Sequence, residues 1–253
     1  MAMKIWAWAV AGVLFATGCD KEEPKPTAAQ APPAATTSSA PAAPPPPAAP
    51  RPPAIMVDDT GATVDGEPFG GAPAEWRDRL GAMLATRPLV TGQTVTVSAV
   101  RDAKAPKVLA VVAALRHAKA TGVIIETPTR EQTMGHLEIA LAHGPVADCS
   151  AAGMIEKDGS VAVWGVGGGT AQRFHRGLAG PDLTLGVKAL KDRAGGCDSA
   201  AWILGADDTV TWGLTFDLAM RAKAVVDGGT ALRPTTVLLA TTAPVPGRRV
   251  TVE

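Results

Sequence analysis

KVLAVVAALRHAKATGVIIET, residues Lys107 to Thr127, sets the pattern that the rest of the chain follows. Pro106 stands just ahead of it, at a place in a helix's first turn where the missing N–H costs little. Val108, Val111, Val112, Leu115 and Ala118 recur at helical spacing, which predicts a helix that turns them inward and stops before Gly122. Gly122 to Thr127 is short and almost continuously apolar, the reading of a buried strand. Upstream, TVTVSA (Thr94 to Ala99) alternates its valines at the period of a strand.

Working outward, Ile55 to Val57 and Ala62 to Val64 flank Asp59-Thr60-Gly61 and read as a hairpin. A helix over about Ala74 to Ala85 carries Trp76, Leu80, Met83 and Leu84 on one face. His136 to Ala142 is a further candidate strand. The order then repeats. Gly153 to Gly165 is a hairpin around Asp158-Gly159, and after a Gly-rich stretch Leu183 to Arg193 is a helix begun by Asp182 and ended near Gly195-Gly196. Ala200 to Ala206 is a strand, Trp212 to Lys223 a helix capped by Thr211, and Thr235 to Thr241 a strand. RRVTVE closes the chain as a candidate last strand. The expected fold is α/β (α+β), with two tandem small modules over residues 54–147 and 148–253. Each is a four- to five-stranded sheet with two helices in the order β-β-α-β-α-β-β.

ILGADDTVTWGLTFDLAMRA, Ile203 to Ala222, resembles the periplasmic domain of the ExbD/TolR biopolymer-transport proteins, where a strand ends in Ala-Asp before a Val and an aromatic at a helix start. Ala206, Asp207, Val210, Trp212 and Gly213 fill those places. The first module matches in Ile55 to Gly66 and in Lys107 to Thr127, and departs at Val100 and Ala105, where the acid and the aromatic would stand. The resemblance implies a small sheet covered by two helices that dimerises and meets envelope partners, including peptidoglycan in the TolR branch. It makes Asp207 and Trp212 the candidate binding residues, and two copies in one chain an internal pseudo-dimer. Family members couple proton flow through an aspartate in a transmembrane helix, since a carboxyl group in lipid is kept there for function. The run Ile5 to Phe15 holds no acid.

That run also falls short of the roughly 20 residues a spanning helix needs and has the length of a signal-peptide core. Ala16-Thr17-Gly18-Cys19 resembles the lipobox of bacterial lipoproteins, with Ala16 where Leu is usual. The resemblance implies cleavage after residue 18 and acylation of Cys19. Two or three acyl chains anchor firmly, at about 0.8 kcal/mol per buried methylene; the alternative is a short uncleaved anchor. Residues 19–53 then form the lipidated cysteine and a Pro/Ala-rich tether, too poor in large apolar side chains to fold. As extended polyproline-like chain it reaches up to roughly 100 Å. The expected place is the bacterial cell envelope, lipid-anchored and facing the periplasm, with inner or outer membrane left open. In that oxidising compartment Cys149 and Cys197 are expected to pair, contributing about 4 kcal/mol in the chain-entropy model, with two buried thiols as the alternative.

Lys and Arg number 24 against 24 Asp and Glu, and removal of residues 1–18 takes away Lys4 alone. A chain so near neutral lacks the basic footprint of nucleic-acid binding. His117, His136, His143 and His175 lie in no hydrolase or metalloprotease motif. Gly165 to Thr170, GVGGGT, lacks the Gly-Lys-Ser/Thr ending of a phosphate loop and reads as a flexible loop. Asp58-Asp59 and Asp207-Asp208 lack the alternating oxygen ligands of a calcium loop and fit turns and helix starts. Trp164, Trp202 and Trp212 read first as packing residues. No catalytic residue, cofactor or metal is assigned. The expected function is membrane-tethered binding or scaffolding toward an envelope transport protein or peptidoglycan, against an envelope enzyme or inhibitor with an undisclosed site, or a structural spacer.

Overall fold

In the computed structural model, which describes residues 50–141, 145–178, 180–194, 200–228 and 234–252, the first turn closes on Asp58. Its Oδ1 accepts from the Thr60 and Gly61 N–H groups (2.8 and 2.9 Å) and from the Thr60 hydroxyl (2.6 Å). This turn joins β1 (Ile55–Val57) to β2 (Ala62–Val64), and β3 (Glu67–Phe69) adds a third short strand. There follow α1 (Pro73–Ala85), β4 (Thr94–Ala99), α2 (Ala105–His117), β5 (Gly122–Pro128) and β6 (Met134–Ala140). The second half supplies β7 (Ala151–Ile155), β8 (Val161–Gly165), β9 (Gln172–Phe174), α3 (Leu183–Arg193), β10 (Ala200–Ala206), α4 (Trp212–Asp227) and β11 (Pro234–Leu239). The fold is of the α+β class expected, with two mixed sheets.

The sheets share one plan. The first runs β3-β2-β1-β4-β5-β6 and the second β9-β8-β7-β10-β11. In each, the opening hairpin is antiparallel, its first strand pairs in parallel with the strand after the first helix, and that strand pairs in parallel with the one after the second helix. Equivalent bonds finish the equivalent strands: Val100 N–H donates to Val57 O, and Asp207 N–H to Ile155 O. Val100 and Asp207 therefore occupy matching places, as do Ala105 and Trp212.

The two halves meet across the segments that precede α2 and α4. Ala105 N–H donates to Val210 O (2.9 Å) and Trp212 N–H donates to Ala103 O (2.7 Å), about an antiparallel bridge between Lys104 and Thr211. Because Ala103 matches Val210 and Ala105 matches Trp212, the two bonds are the same bond read from either half, as across a local twofold axis. A single apolar core passes through the junction, joining Val57, Leu80, Val97 and Leu109 to Trp202, Leu204, Trp212 and Phe216.

Local chemistry sets the helix ends. The last turn of α2 carries Arg116 and His117, favourable at the negative end of the helix dipole. It closes with Ala120 N–H on Leu115 O and Lys119 N–H on Arg116 O, with Lys119 left-handed at φ 61°. Residues 108–115 of this helix are buried on every side, wider than the inward stripe expected from spacing, because α1 and α4 both pack against it. Asp182 caps α3 by accepting from Leu185 N–H (3.0 Å).

Several expectations are corrected. The first sheet has six strands, one more than expected, because the short segment β3 pairs with β2; the second has five, within the expected number, with β9 pairing with β8 as a strand that the sequence pattern does not signal. Thr211 occupies the cap position of α4 with extended backbone, at φ −76° and ψ 147°, but its side chain makes no cap hydrogen bond. Helix α4 runs on to Asp227, where Lys223 pairs with Asp227 one turn later. Arg248 to Val252 form no strand. Pro244 and Pro246 remove donors, and Gly247 turns the chain at φ 81°, so the segment crosses the second sheet as a strap instead of joining its edge.

The strap makes the halves unlike. In the first sheet β4 and β6 alternate strictly, with Val95, Val97, Leu137 and Ile139 buried and Thr94, Thr96, His136 and Glu138 outside. The second sheet is buried on both faces, its outer one in a separate cluster that includes Met154, Trp164, Ile203 and Val250. Residues 1–18, Cys19 with the tether through residue 49, and Gly195-Gly196 lie outside the described residues. Among the described residues no helix is long and apolar enough to cross a membrane.

Candidate binding site at the strand ends of the second sheet

β7 and β10 run in parallel, and their chain connections leave in opposite directions across the sheet, β7 to β8 and β10 to β11. In open α/β sheets such a reversal leaves a crevice at the carboxyl ends of the strands. Here a cleft of about 760 Å³ lies at that place. Its walls carry Glu156, Lys157 and Asp158 from the β7–β8 turn, Arg173 from β9, Asp207 from the end of β10, and the root of the strap, Ala243 to Pro246.

The two aspartates are held below the ordinary aspartate range. Asp207 Oδ1 accepts from the Thr209 N–H (3.0 Å) and hydroxyl (2.7 Å). Those bonds, the backbone one foremost, hold its carboxyl below the ordinary aspartate range, and Lys157 adds to the effect. Asp158 is lowered likewise by the Ser160 hydroxyl and N–H, with His175 a lesser contributor. The Ser160 hydroxyl lies 2.8 Å from Glu156 Oε2 and 2.6 Å from Asp158 Oδ1, so its one proton serves one carboxylate at a time. Arg173 Nε donates to both Glu156 oxygens, at 2.9 and 3.2 Å. The lowered aspartates, Asp158 and Asp207, suit ion pairing and hydrogen bonding. They are poor proton donors near neutral pH.

Asp207 thus stands on the wall of a cleft, but Trp212 does not join it. The indole is wholly buried, its Nε1–H donates to the buried Thr127 hydroxyl of β5 (2.8 Å), and its ring lies 6.1 Å from that of Phe216. It presents nothing to a ligand and ties the halves together. Beside it Arg101 reaches from the first half to Asp217 on α4, donating through Nη1 (3.0 Å) and Nη2 (2.8 Å), and also to Pro128 O and Gly213 O. Arg130 Nε adds a bond to Asp217 Oδ2 (2.8 Å). Sequence spacing gives no sign of this cluster, whose partners lie 87 and 116 residues apart.

Cys149 is disulfide-bonded, and Cys197 lies outside the described residues. Trp164 and Trp202 are buried. His136 Nδ1 sits 3.4 Å from Glu126 on the first sheet's outer face, His117 in the last turn of α2, and His175 just past β9, while His143 lies outside the described residues. The Gly165 to Thr170 loop receives the strap: Gly169 N–H donates to Gly247 O (2.9 Å), and both glycines have positive φ. A Cβ on Gly247 would come within 2.7 Å of Gly169 O, so the approach needs glycine. Among the described residues no group of three or more His, Cys, Asp and Glu is placed to hold a metal ion.

No family model, curated protein or solved structure matches the chain.

Proposed function

We propose that this chain is a bacterial lipoprotein, anchored through acylated Cys19, whose tether displays a two-module binding body in the periplasm. In this reading it resembles the soluble part of ExbD/TolR proteins, lacks their proton-coupling helix, and engages an envelope transport protein or peptidoglycan without chemistry of its own. The observation that supports the reading is the strand-end cleft, where Asp158 and Asp207, both held below the ordinary aspartate range, share the walls with Lys157 and Arg173, a lining suited to a polar ligand. The reciprocal junction agrees with it, since two modules locked by one core make a rigid carrier.

Two measurements test the parts separately. Palmitate labelling of wild type and Cys19→Ser, with and without globomycin, tests the anchor; a labelled Cys19→Ser variant refutes it. Pull-down on purified peptidoglycan, beside crosslinking in envelope extracts, tests the binding. Asp207→Lys is expected to weaken capture, and equal capture by both proteins removes the cleft from the reading. Turnover of an envelope substrate by the purified chain refutes the binding role.

A further inference from the structure

The outer face of the second sheet is apolar, with Ala152, Met154, Trp164, Ala201, Ile203 and Leu238 facing one way. The strap, residues 241–252, lies across it without forming a ladder. Gly169 N–H donates to Gly247 O (2.9 Å), Val250 N–H to Val166 O (2.9 Å), and Trp164 Nε1–H to Arg248 O (2.8 Å). Pro244 rests over Gly205, where a Cβ would stand 2.6 Å from Pro244 Cδ. Of the strap's side chains Val250 alone is buried, and Val245 is 54% exposed. Few attachments thus oppose the conformational entropy of about a dozen ordered residues. Segments of that kind open locally before the body does.

The sheet face beneath is shaped for what it holds. A glycine makes room for a proline, an indole N–H meets a backbone carbonyl, and an apolar seat takes a β-branched side chain. We propose that this face is a peptide-docking surface, occupied in cis by Ala243 to Val252 and taken in trans by an extended partner segment of the same chemistry. That segment carries a proline for Gly205, a free carbonyl for Trp164 and an aliphatic residue for the Val250 seat. The inference rests on the binding role proposed above and places the partner's segment on a sheet face, with the strap as its competitor. Because the strap root also walls the cleft at Asp207, its departure opens both.

The probe is a fluorescein-labelled peptide, APVPGRRVTV, added to the full mature chain and followed by anisotropy. Wild type exposes the surface only in the fraction with an open strap, so its apparent affinity is reduced by that fraction. Val250→Asp drives the strap off and leaves the surface intact, and is expected to bind the peptide at least about tenfold more tightly than wild type. Adding Gly205→Val to that variant is expected to abolish binding. Equal binding by wild type and Val250→Asp, or none by either, overturns the proposal. Hydrogen exchange on wild type guards against a misfolded variant: the Val250 amide should exchange well ahead of Leu204 in β10, and exchange of both only with global unfolding overturns it. A concentration-dependent wild-type dimer that the peptide dissociates would assign the surface to a second copy, against the proposal. Partner capture undiminished by Gly205→Val sinks the docking surface alone, whereas peptide docking without any captured envelope partner sinks the binding role alone.

Discussion

Removing the Asp217 carboxylate should weaken the junction between the halves by an amount the structure bounds. Arg101 meets Asp217 through two parallel N–H···O bonds, the strong arrangement for a guanidinium and a carboxylate. Their side chains are 23% and 15% exposed. Breaking a fully buried pair from one side costs about 3–5 kcal/mol, because the remaining charge is stranded. Partial exposure, and the Pro128 and Gly213 carbonyls that still receive Arg101, lower the expectation for Asp217→Asn to about 2–3 kcal/mol. Arg130, whose side chain is 56% exposed, adds little. Arg101→Met should cost a similar amount, and Arg101→Met with Asp217→Asn should cost less than the two singles together by about 1–2 kcal/mol. Urea unfolding followed by tryptophan fluorescence measures all three, with an unchanged slope showing that the same surface is exposed. Since one core runs through both halves, a single transition is expected in each case. Single variants within about 0.5 kcal/mol of wild type, no coupling between the sites, or two separate transitions would refute the reasoning.

Trp212→Ala should cost about 3–5 kcal/mol as a large buried side chain, and Thr127→Val about 1–3 kcal/mol by leaving the indole N–H unpaired, both read from urea midpoints. Thr209→Val should raise the Asp207 pKa toward the ordinary range in an NMR carboxyl titration. The lowered folded value means that the Asp207 turn contributes its stability above the unfolded aspartate pKa of about 3.9 and loses it as pH falls through the folded one. Reducing the Cys149 disulfide should lower the unfolding free energy by about 2–4 kcal/mol, measured by urea titration with and without dithiothreitol.

Where a segment's own pattern decides its structure, the sequence was legible. TVTVSA, AAWILGA and the helix over Leu183 to Arg193 form at the residues expected, because period and caps are local properties. β3, with Pro68 at its centre, carries no strand signal and exists because β2 offers it a ladder. RRVTVE has strand-like alternation, but the prolines and glycine before it send the chain over the sheet face. The site shows the same division. Asp207 could be singled out only through the resemblance of Ile203 to Ala222 to a family pattern, yet its neighbours Glu156 and Arg173 come together only through the β7–β8–β9 meander. Trp212 reads from its own pattern as a packing residue and becomes a binding candidate only through the family resemblance. In the fold it is sealed by Thr127, from a strand 85 residues earlier.

The matched positions of Ala105 and Trp212 carry one more implication. Two identical subunits related by a twofold must repeat every residue, so a tryptophan chosen for one flank of the axis would be imposed on the other as well. With both flanks on one chain that constraint is absent. Here one flank takes a bulky ring that reaches a strand of the other half, while the other keeps a methyl group.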